Sequence, residues 1–347
     1  MKHFWKLVGL CGVLFSVWGN GALAQGKEKL VLRVADSFPT SGHWMVENAT
    51  KPWMEAVTRA TGGAVTFEYY PSEQLGKSKD MLSLTQSGVT DIAYVAPSFI
   101  ADNKMPLSTV AELPGSSTSS CQGTRAYWKL ATKDGILAEK DFAPNGVRLL
   151  WSVVMPPYQF VTAKKKIESL KDVEGLKLRT AGAALDMTAR KLKAVPVRLA
   201  TPEIYDALSR GTIDGMIFPF SSLVAYKLDG LVKYATVDES LGAIVANYVI
   251  SEARWKKLPE SVQKAMMDAG EEATQRLCAT LDRDLQTDIA KLRQQGLTSI
   301  QLSVTDKKEL QGLLANVQTE WAEGLDKRGK PGSEVLKAFH GALQQGR

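Results

Sequence analysis

The sequence predicts an α/β protein made of two similar lobes, and three observations lead to this prediction. Segments in which apolar residues recur with a period of two alternate along the chain with segments of helical period. The same strand, helix and strand pattern occurs early in the chain and again after its midpoint. The chain has 347 residues, 44% of them hydrophobic, which suffices for two domains with a core each.

The first lobe is predicted to span residues 25–150. It begins with a strand at residues 29–36 and a helix that stops at Gly62. The strand "AVTFEYY", a second helix that ends at Gly88, and the strand "TDIAYVAP" follow. Together these segments form a β-α-β-α-β unit.

The second lobe is predicted to span residues 151–236. The strand "GLKLR" ends at Arg179, a helix follows Gly182, and the strand "VPVRLA" precedes a helix with Thr201 as its N-cap. The strand "TIDGMIFPF" closes the unit. The segments "SGVTDIAYVAP" and "RGTIDGMIFPF" share a glycine and an aspartate at matching positions: Gly88 and Asp91 in the first, Gly211 and Asp214 in the second.

The remaining segments are predicted to join the lobes. "GVRLLWSVVMPPYQFVT" is interpreted as the crossing into the second lobe, and residues 237–258 as a strand returning to the first. Residues 259–296 have only Gly270 as a weak point, so they predict a helix of about 50 Å that spans both lobes. Residues 297–347 are expected to form a helical segment that packs on the lobes.

The N-terminus has the three parts of a secretory signal peptide, predicted at residues 1–24. Lys2 and Lys6 precede an apolar stretch at residues 7–18, and a small-x-small site ends at Ala24. The alternative is a membrane anchor, but the apolar stretch is shorter than the roughly 20 residues that a membrane span needs. We therefore expect cleavage after Ala24 and export to the periplasm.

Composition excludes several classes of function. Removal of the two signal-peptide lysines lowers the formal net charge from +6 to +4, and both signs are interspersed, which argues against nucleic acid as a partner. Only His43 and His340 remain in the mature chain, so we expect no metal, no cofactor and no histidine-based catalysis. Cys121 and Cys278 are far apart in sequence, and their spacing leaves a disulfide undecided.

The candidate site lies in the loops that follow the predicted strands, since ligands of open α/β sheets bind at the carboxyl ends of strands. These loops are rich in aromatic residues and hydroxyls, and Arg179 is the only arginine among them. A guanidinium presents paired donors that match a carboxylate. The site therefore suits a small organic anion, unless Arg179 pairs with an acid of the protein such as Glu174 or Asp186.

Residues 173–219 resemble the signature region of the solute-binding proteins of TRAP (tripartite ATP-independent periplasmic) transporters, the DctP family. The matching features are Gly175 to Arg179, Glu203 with Tyr205, and Gly211 to Gly215. This resemblance implies a type II-like, Venus flytrap periplasmic binding protein without catalysis, in which Arg179 binds the ligand carboxylate. It also implies delivery of a small organic acid to the small and large membrane subunits of a sodium-coupled permease. We expect the protein itself to be a monomer.

Two departures from the family pattern bear on the ligand. Members that bind sugar acids have a second arginine where Gln159 stands and an asparagine where Phe218 stands. The resemblance therefore favours a less polar monocarboxylate, aromatic or branched, stacked on Phe218, Phe220 or Trp151. Each of these aromatic residues has the alternative of being plain core.

Further candidates come from both lobes. Phe38, His43 and Trp44 follow the first strand and are expected to cap the pocket, although His43 and Trp44 suit the start of a packed helix equally. The other candidates are residues of the first lobe and the return strand: Tyr94, Ser98 and Asn247.

Two other functions remain open at this stage. The chain is also compatible with the binding component of an ATP-driven importer or a sensor, which would share the two lobes but not the partner. A secreted two-lobed α/β enzyme would need paired titratable groups in the cleft, where the loops supply only Asp36 and His43.

Overall fold

The computed structural model describes residues 29–100 and 104–345; the predicted signal peptide lies outside these ranges. The strands are β1 Leu30–Ala35, β2 Val65–Tyr70, β3 Ile92–Val95, β4 Val147–Val154, β5 Gln159–Thr162, β6 Lys177–Thr180, β7 Val195–Arg198, β8 Gly215–Phe218, β9 Tyr234–Thr236, β10 Val245–Ser251 and β11 Thr298–Ile300. The helices are α1 Lys51–Ala60, α2 Met81–Gln86, α3 Ser120–Ala131, α4 Ala183–Lys191, α5 Ile204–Ser209, α6 Phe220–Ala225, α7 Glu252–Trp255, α8 Glu260–Gln294, α9 Val304–Asp326 and α10 Gly332–Gln345.

The strands form two sheets with related orders, one in each lobe. The first sheet has the order β2-β1-β3-β10-β4, and the second, taken from its opposite edge, has the order β7-β6-β8-β5-β9-β11. In both sheets the first three strands are parallel and belong to one β-α-β-α-β unit. The fourth strand of each sheet is antiparallel and lies beside one of the crossings between the lobes.

The glycine and aspartate shared by the two units have the same structural roles. The two glycines have positive φ angles of 75° and 69°, which end the preceding helix turn without steric strain. Each aspartate accepts a hydrogen bond from a backbone N–H of the adjacent parallel strand. Asp91 accepts from Arg33 at 2.9 Å, and Asp214 accepts from Lys177 at 2.8 Å.

The connection between the lobes is a pair of hydrogen-bonded crossings. Strand β4 lies wholly in the first sheet, where it pairs with β10, so the first lobe extends past the predicted boundary at residue 151. The crossing after β4 then pairs with the return crossing: the N–H of Met155 donates to the carbonyl of Ile244, and that of Tyr158 to the carbonyl of Gly242, both at 2.9 Å. This double connection is the hinge.

The long helix α8 joins the two cores. It packs on α1, α3 and β4 of the first lobe, and Ile289 and Leu292 near its end are buried in the core of the second lobe. Its 35 residues give a length of about 50 Å. The segment after α8, predicted to be helical, also contains β11, which extends the second sheet beside β9. No helix in the described ranges is long and apolar enough to cross a membrane.

The structure decides the pairing of the two cysteines. Cys121 of α3 and Cys278 of α8 form a disulfide, with their Cα atoms 4.7 Å apart. The pairing arises because α3 and α8 pack against each other in the first lobe. The bond closes a loop with a sequence separation of 157 residues, which is why spacing alone did not predict it.

Candidate functional site

The side chain of Arg179 is fully buried near the end of β6, where the second sheet meets the cleft. Its Nε donates a hydrogen bond to the carbonyl of Leu199 at 2.9 Å, and its Nη2 donates to the hydroxyl of Thr201 at 3.4 Å. Thr201 was predicted as a helix N-cap; it lies instead in a turn of 3₁₀ helix, where it contacts the arginine. Nη1 has no acceptor among the described residues.

Arg179 has no carboxylate partner in the described part of the chain. Glu174 pairs with Lys193 at 2.7 Å, and Asp186 pairs with Arg198, so the two acids suggested as alternatives are engaged elsewhere. Burial lowers the pKa of Arg179 to about 10, which leaves the guanidinium charged at neutral pH. A buried, unpaired cation costs several kcal/mol. The position therefore calls for an anion from outside the chain.

Aromatic rings surround the guanidinium. The ring of Phe218 lies 5.5 Å from the Cζ atom of Arg179, and that of Phe99, from the first lobe, lies 6.0 Å away. Tyr158 of the hinge contacts Phe218 with ring centroids 6.1 Å apart. These contacts favour a cation and provide flat apolar walls beside it.

A second group of rings extends these walls into the first lobe, and the two groups together are called the aromatic enclosure: Phe99, Tyr158 and Phe218 in the first group, and Phe38, His43, Tyr94 and Tyr226 in the second. Phe38 stacks on His43 at 4.5 Å and contacts Tyr94 at 4.6 Å, while His43 meets the edge of Tyr226 from the second lobe at 5.3 Å. Burial raises the pKa of both tyrosines, and the charge of Arg179 opposes this rise. Tyr94 and Tyr226 therefore lie within electrostatic reach of Arg179, on opposite sides of the cleft.

The two lobes touch beside this site. A Cβ atom placed on Gly182 would lie 2.7 Å from the Cβ and the carbonyl oxygen of Ser98, so only glycine permits this approach of the lobes. A cavity of about 680 Å³ adjoins the contact and is lined by residues of both lobes, among them Glu73, Lys77, Phe99 and Arg198. Phe99 lines this cavity and is also one of the two rings beside the guanidinium of Arg179.

A buried acid that the sequence analysis missed supports the same contact. Glu112 ends the 3₁₀ turn Leu107–Glu112, is 1% exposed, and accepts hydrogen bonds from the Ser98 hydroxyl and, at 3.3 Å, from the N–H of Val245. Burial raises the pKa of Glu112 to about 8, so it is mainly neutral at pH 7. It therefore does not serve as a counter-charge.

The structure brings most of the predicted site residues together. Arg179 is accompanied by Phe38, His43, Tyr94 and Phe218, with Trp44 beside His43 and Ser98 at the contact between the lobes. Three aromatic residues outside the predicted set complete the enclosure: Phe99, Tyr158 and Tyr226. Phe99 and Tyr158 belong to loops that follow strands, where ligands of open α/β sheets bind, so the sequence indicated their position. Tyr226 follows α6 and carries no such signal.

Gln159 does not offer its amide to the cleft. Its Nε2 donates to the carbonyl of Glu239 at 2.7 Å, and its Oε1 accepts from the N–H of the same residue at 3.1 Å. The side chain is 5% exposed and holds the start of the return crossing in place. The position that holds a cation in sugar-acid binders is therefore occupied here by a hydrogen-bonded amide.

Three other predicted residues, Trp151, Phe220 and Asn247, are fully or almost fully buried. Trp151 stacks on Tyr248 at 4.0 Å within the core of the first lobe, and Phe220 is buried in the core of the second. Asn247 precedes Tyr248 in β10, so it points to the opposite face of the sheet from Tyr248 and Trp151. Their contact with a ligand stays a prediction.

The matches to known proteins agree with this architecture. Residues 37–324 match the family model DctP, described as bacterial extracellular solute-binding protein, family 7. The chain belongs to this family. DctP proteins are periplasmic substrate receptors of TRAP transporters and are not enzymes, which confirms the family and the absence of catalysis predicted from the sequence.

Individual relatives cover nearly all of the chain. The C4-dicarboxylate-binding periplasmic protein DctP of Rhodobacter capsulatus is 26% identical over 84% of this chain and 85% of its own. A TRAP solute-binding protein from Rhodoferax ferrireducens, solved with copurified benzoate, has a TM-score of 0.83 and 24% identity over 92% of this chain and 98% of its own. A marine metagenome TRAP protein specific for aromatic acid ligands, solved with 3-hydroxybenzoate, has a TM-score of 0.83 and 23% identity over 91% and 98%. These structures confirm the two-lobed fold.

Proposed function

We propose that this DctP protein captures a small aromatic monocarboxylate in the cleft between its lobes. The observation that carries the proposal is the buried guanidinium of Arg179, which has a free Nη1, no carboxylate partner in the described chain, and aromatic rings on several sides. A carboxylate supplies the missing charge and acceptors, and a ring attached to it fits the flat apolar walls. The aromatic acids held by two structural neighbours agree with this choice.

Binding and closure are coupled in this proposal. Arg179 belongs to the second lobe, while Phe38, Tyr94 and Phe99 belong to the first, so a ligand contacts both lobes only when they are together. Binding energy thereby shifts the population toward the closed form by rotation at the hinge. The ligand-filled closed form is the species that a membrane partner would recognise.

The same proposal includes export and transport. The signal peptide is removed after Ala24, and the mature monomer works in the periplasm. It delivers its acid to the two membrane subunits of a TRAP permease that draws on a sodium gradient. Membership of the DctP family supports this partner over an ATP-driven importer or a sensor.

The first experiment compares the melting temperature of the mature chain with that of Arg179→Ala. Both proteins are unfolded and refolded to remove carried-over ligand and then mixed with benzoate, phenylacetate, mandelate, succinate or glucuronate. A ligand at a hundred times its dissociation constant stabilises by about 2.7 kcal/mol, a shift of roughly 5 to 10 °C. We expect this shift with an aromatic acid for the wild type and none for the variant.

Arg59→Ala serves as the matched control, since that arginine is 72% exposed on α1 and its ion pair is with Glu55 of the same helix. It should retain the full shift. A shift that survives Arg179→Ala removes the arginine from the site. A shift with succinate or glucuronate alone rejects the aromatic monocarboxylate.

A further inference from the structure

His43 is held in one protonation state and one tautomer. It lies between β1 and α1, is 1% exposed, and its Nδ1 accepts a hydrogen bond from the N–H of Met45 at 3.3 Å. Because Nδ1 is an acceptor, the single proton of the neutral ring is on Nε2. Burial lowers the pKa of His43 to about 3, so the ring stays neutral throughout the ordinary pH range. His43 is therefore a permanent hydrogen-bond donor.

The Nε2–H of His43 lacks an acceptor. It is enclosed, and no residue within 29–100 or 104–345 accepts its hydrogen bond. Buried donors are nearly always paired, and an unpaired one carries an energetic cost. Together with Nη1 of Arg179 and Nε1 of Trp44, which lies beside His43, the aromatic enclosure thus contains three buried donors without partners in the described ranges. All three can donate to acceptors from outside the chain.

The donors of His43 and Arg179 belong to the same aromatic enclosure but lie at different places in it. Phe38 stacks on His43 with an angle of 22° between the rings and also contacts Tyr94, and the edge of Tyr226 meets His43 directly. The charge of Arg179 acts on both tyrosines. The ring contacts of His43 thus lead, directly or through Phe38, to the two tyrosines on which the charge of Arg179 acts.

We propose that His43 is the second polar anchor of the ligand and determines its class. The ligand is an aromatic acid with an uncharged oxygen substituent, a hydroxyl or keto group, remote from its carboxylate. The carboxylate accepts from Arg179 and the substituent accepts from the Nε2–H of His43. A second carboxylate is disfavoured there, because neutral His43 offers one donor and no charge. This inference rests on the function proposed above and specifies its substrate.

The test measures affinities of refolded protein by calorimetry for benzoate, 3-hydroxybenzoate, 4-hydroxybenzoate and the dicarboxylate isophthalate. His43→Phe keeps an aromatic ring between Phe38 and Tyr226 but removes the donor, and His43→Gln restores an N–H donor on a different frame. The control is His340→Gln, at an exposed histidine of α10.

For the wild type we expect one hydroxybenzoate to bind at least about tenfold more tightly than benzoate, since sites built to pair a hydroxyl discriminate strongly against its absence. In His43→Phe this advantage should shrink to less than about twofold while benzoate binding persists. His43→Gln should recover part of the advantage, and the control should behave as the wild type.

Three results would overturn the inference: no advantage for any hydroxybenzoate in the wild type, an advantage that survives in His43→Phe, or tightest binding of isophthalate. If His43→Phe fails to fold, the wild-type affinities and His43→Gln still decide between these outcomes. Failure of the proposed function gives a different result. In that case the wild type binds no aromatic acid, or the binding persists in Arg179→Ala.

Discussion

At the scale of single residues, the site is defined by groups that are buried without a partner of their own. Arg179 is the clearest case, since its neighbours Leu199 and Thr201 occupy two nitrogens of the guanidinium and leave the third free. A free receptor that binds its anion in this way keeps its strongest interaction for the ligand. The arrangement exchanges stability of the unliganded closed form for affinity.

Glu112 gives a pH dependence with a definite sign. Its pKa is about 8 in the folded protein against 4.5 for an ordinary glutamate, so between these values the folded state holds one more proton than the unfolded state. The free energy of unfolding therefore falls as pH rises through this window, by up to about 1.4 kcal/mol per pH unit, and the loss is complete above pH 8.

We expect Glu112→Gln, which imitates the neutral acid, to lack this loss. The measurement is the unfolding free energy of both proteins in urea from pH 5 to 9, where the shared contributions of other groups cancel in the difference. The free energy of unfolding of the variant, relative to that of the wild type, should increase up to about pH 8. Above pH 8 the difference between the two should stay constant. A difference that does not change with pH would show that Glu112 is ionised in the folded state.

At the scale of elements, α8 and its disulfide stabilise the first lobe without entering the site. Cys121 and Cys278 connect α3 to α8, and Asp282 of α8 accepts hydrogen bonds from the N–H groups of Ser120 and Cys121 at 2.7 and 2.9 Å. These contacts anchor α8 near its middle. Its last turns remain free to follow the second lobe.

Removal of the disulfide should therefore lower the free energy of unfolding and leave ligand affinity nearly unchanged. The pair Cys121→Ala and Cys278→Ala frees a loop of 157 residues in the unfolded chain, and we expect a loss of about 2 to 5 kcal/mol. Ligand affinity at a temperature where the variant is folded should change by less than about threefold, since neither helix supplies a side chain to the aromatic enclosure. A large loss of affinity would mean that the bond also positions the cleft.

At the scale of the whole molecule, function depends on how closely the lobes approach. Gly182 is a point of close contact between the lobes, because its backbone packs against that of Ser98 across the cleft. Beside this contact α9 also reaches both lobes: its Trp321 donates a hydrogen bond to the hydroxyl of Thr109 at 2.9 Å, and it lines one cavity together with Ser98 and Ala183. We therefore expect the lobes to pivot on the paired hinge crossings and to open at Gly182.

Gly182→Ala should hinder closure and leave each lobe intact. The added Cβ would lie 2.7 Å from Ser98, so we expect affinity for the aromatic acid to fall at least about tenfold with little change in the melting temperature of the free protein. Gly341→Ala is the control, because a Cβ there meets nothing within 4 Å. Small-angle scattering with saturating ligand would then show a more open variant. Unchanged affinity would mean that this contact is not needed for binding.

The sequence by itself determined the features that depend on short stretches of chain. The period of two in the strands, the glycines and aspartates of the two repeated units, and the arginine at the end of β6 all follow from local patterns. These patterns were sufficient to predict two lobes, a helix spanning them and an arginine at the cleft. The same patterns carry the resemblance to the family.

Only the tertiary structure decided which side chains meet. Whether Trp151 faces the cleft or the core, whether Gln159 is free or hydrogen-bonded to Glu239, and whether Tyr226 reaches His43 depend on residues far apart in sequence. Burial and partners are properties of packed neighbours, and a single sequence records neither. For that reason the arginine was visible before the structure, whereas its lack of a partner, on which the proposed function rests, was not.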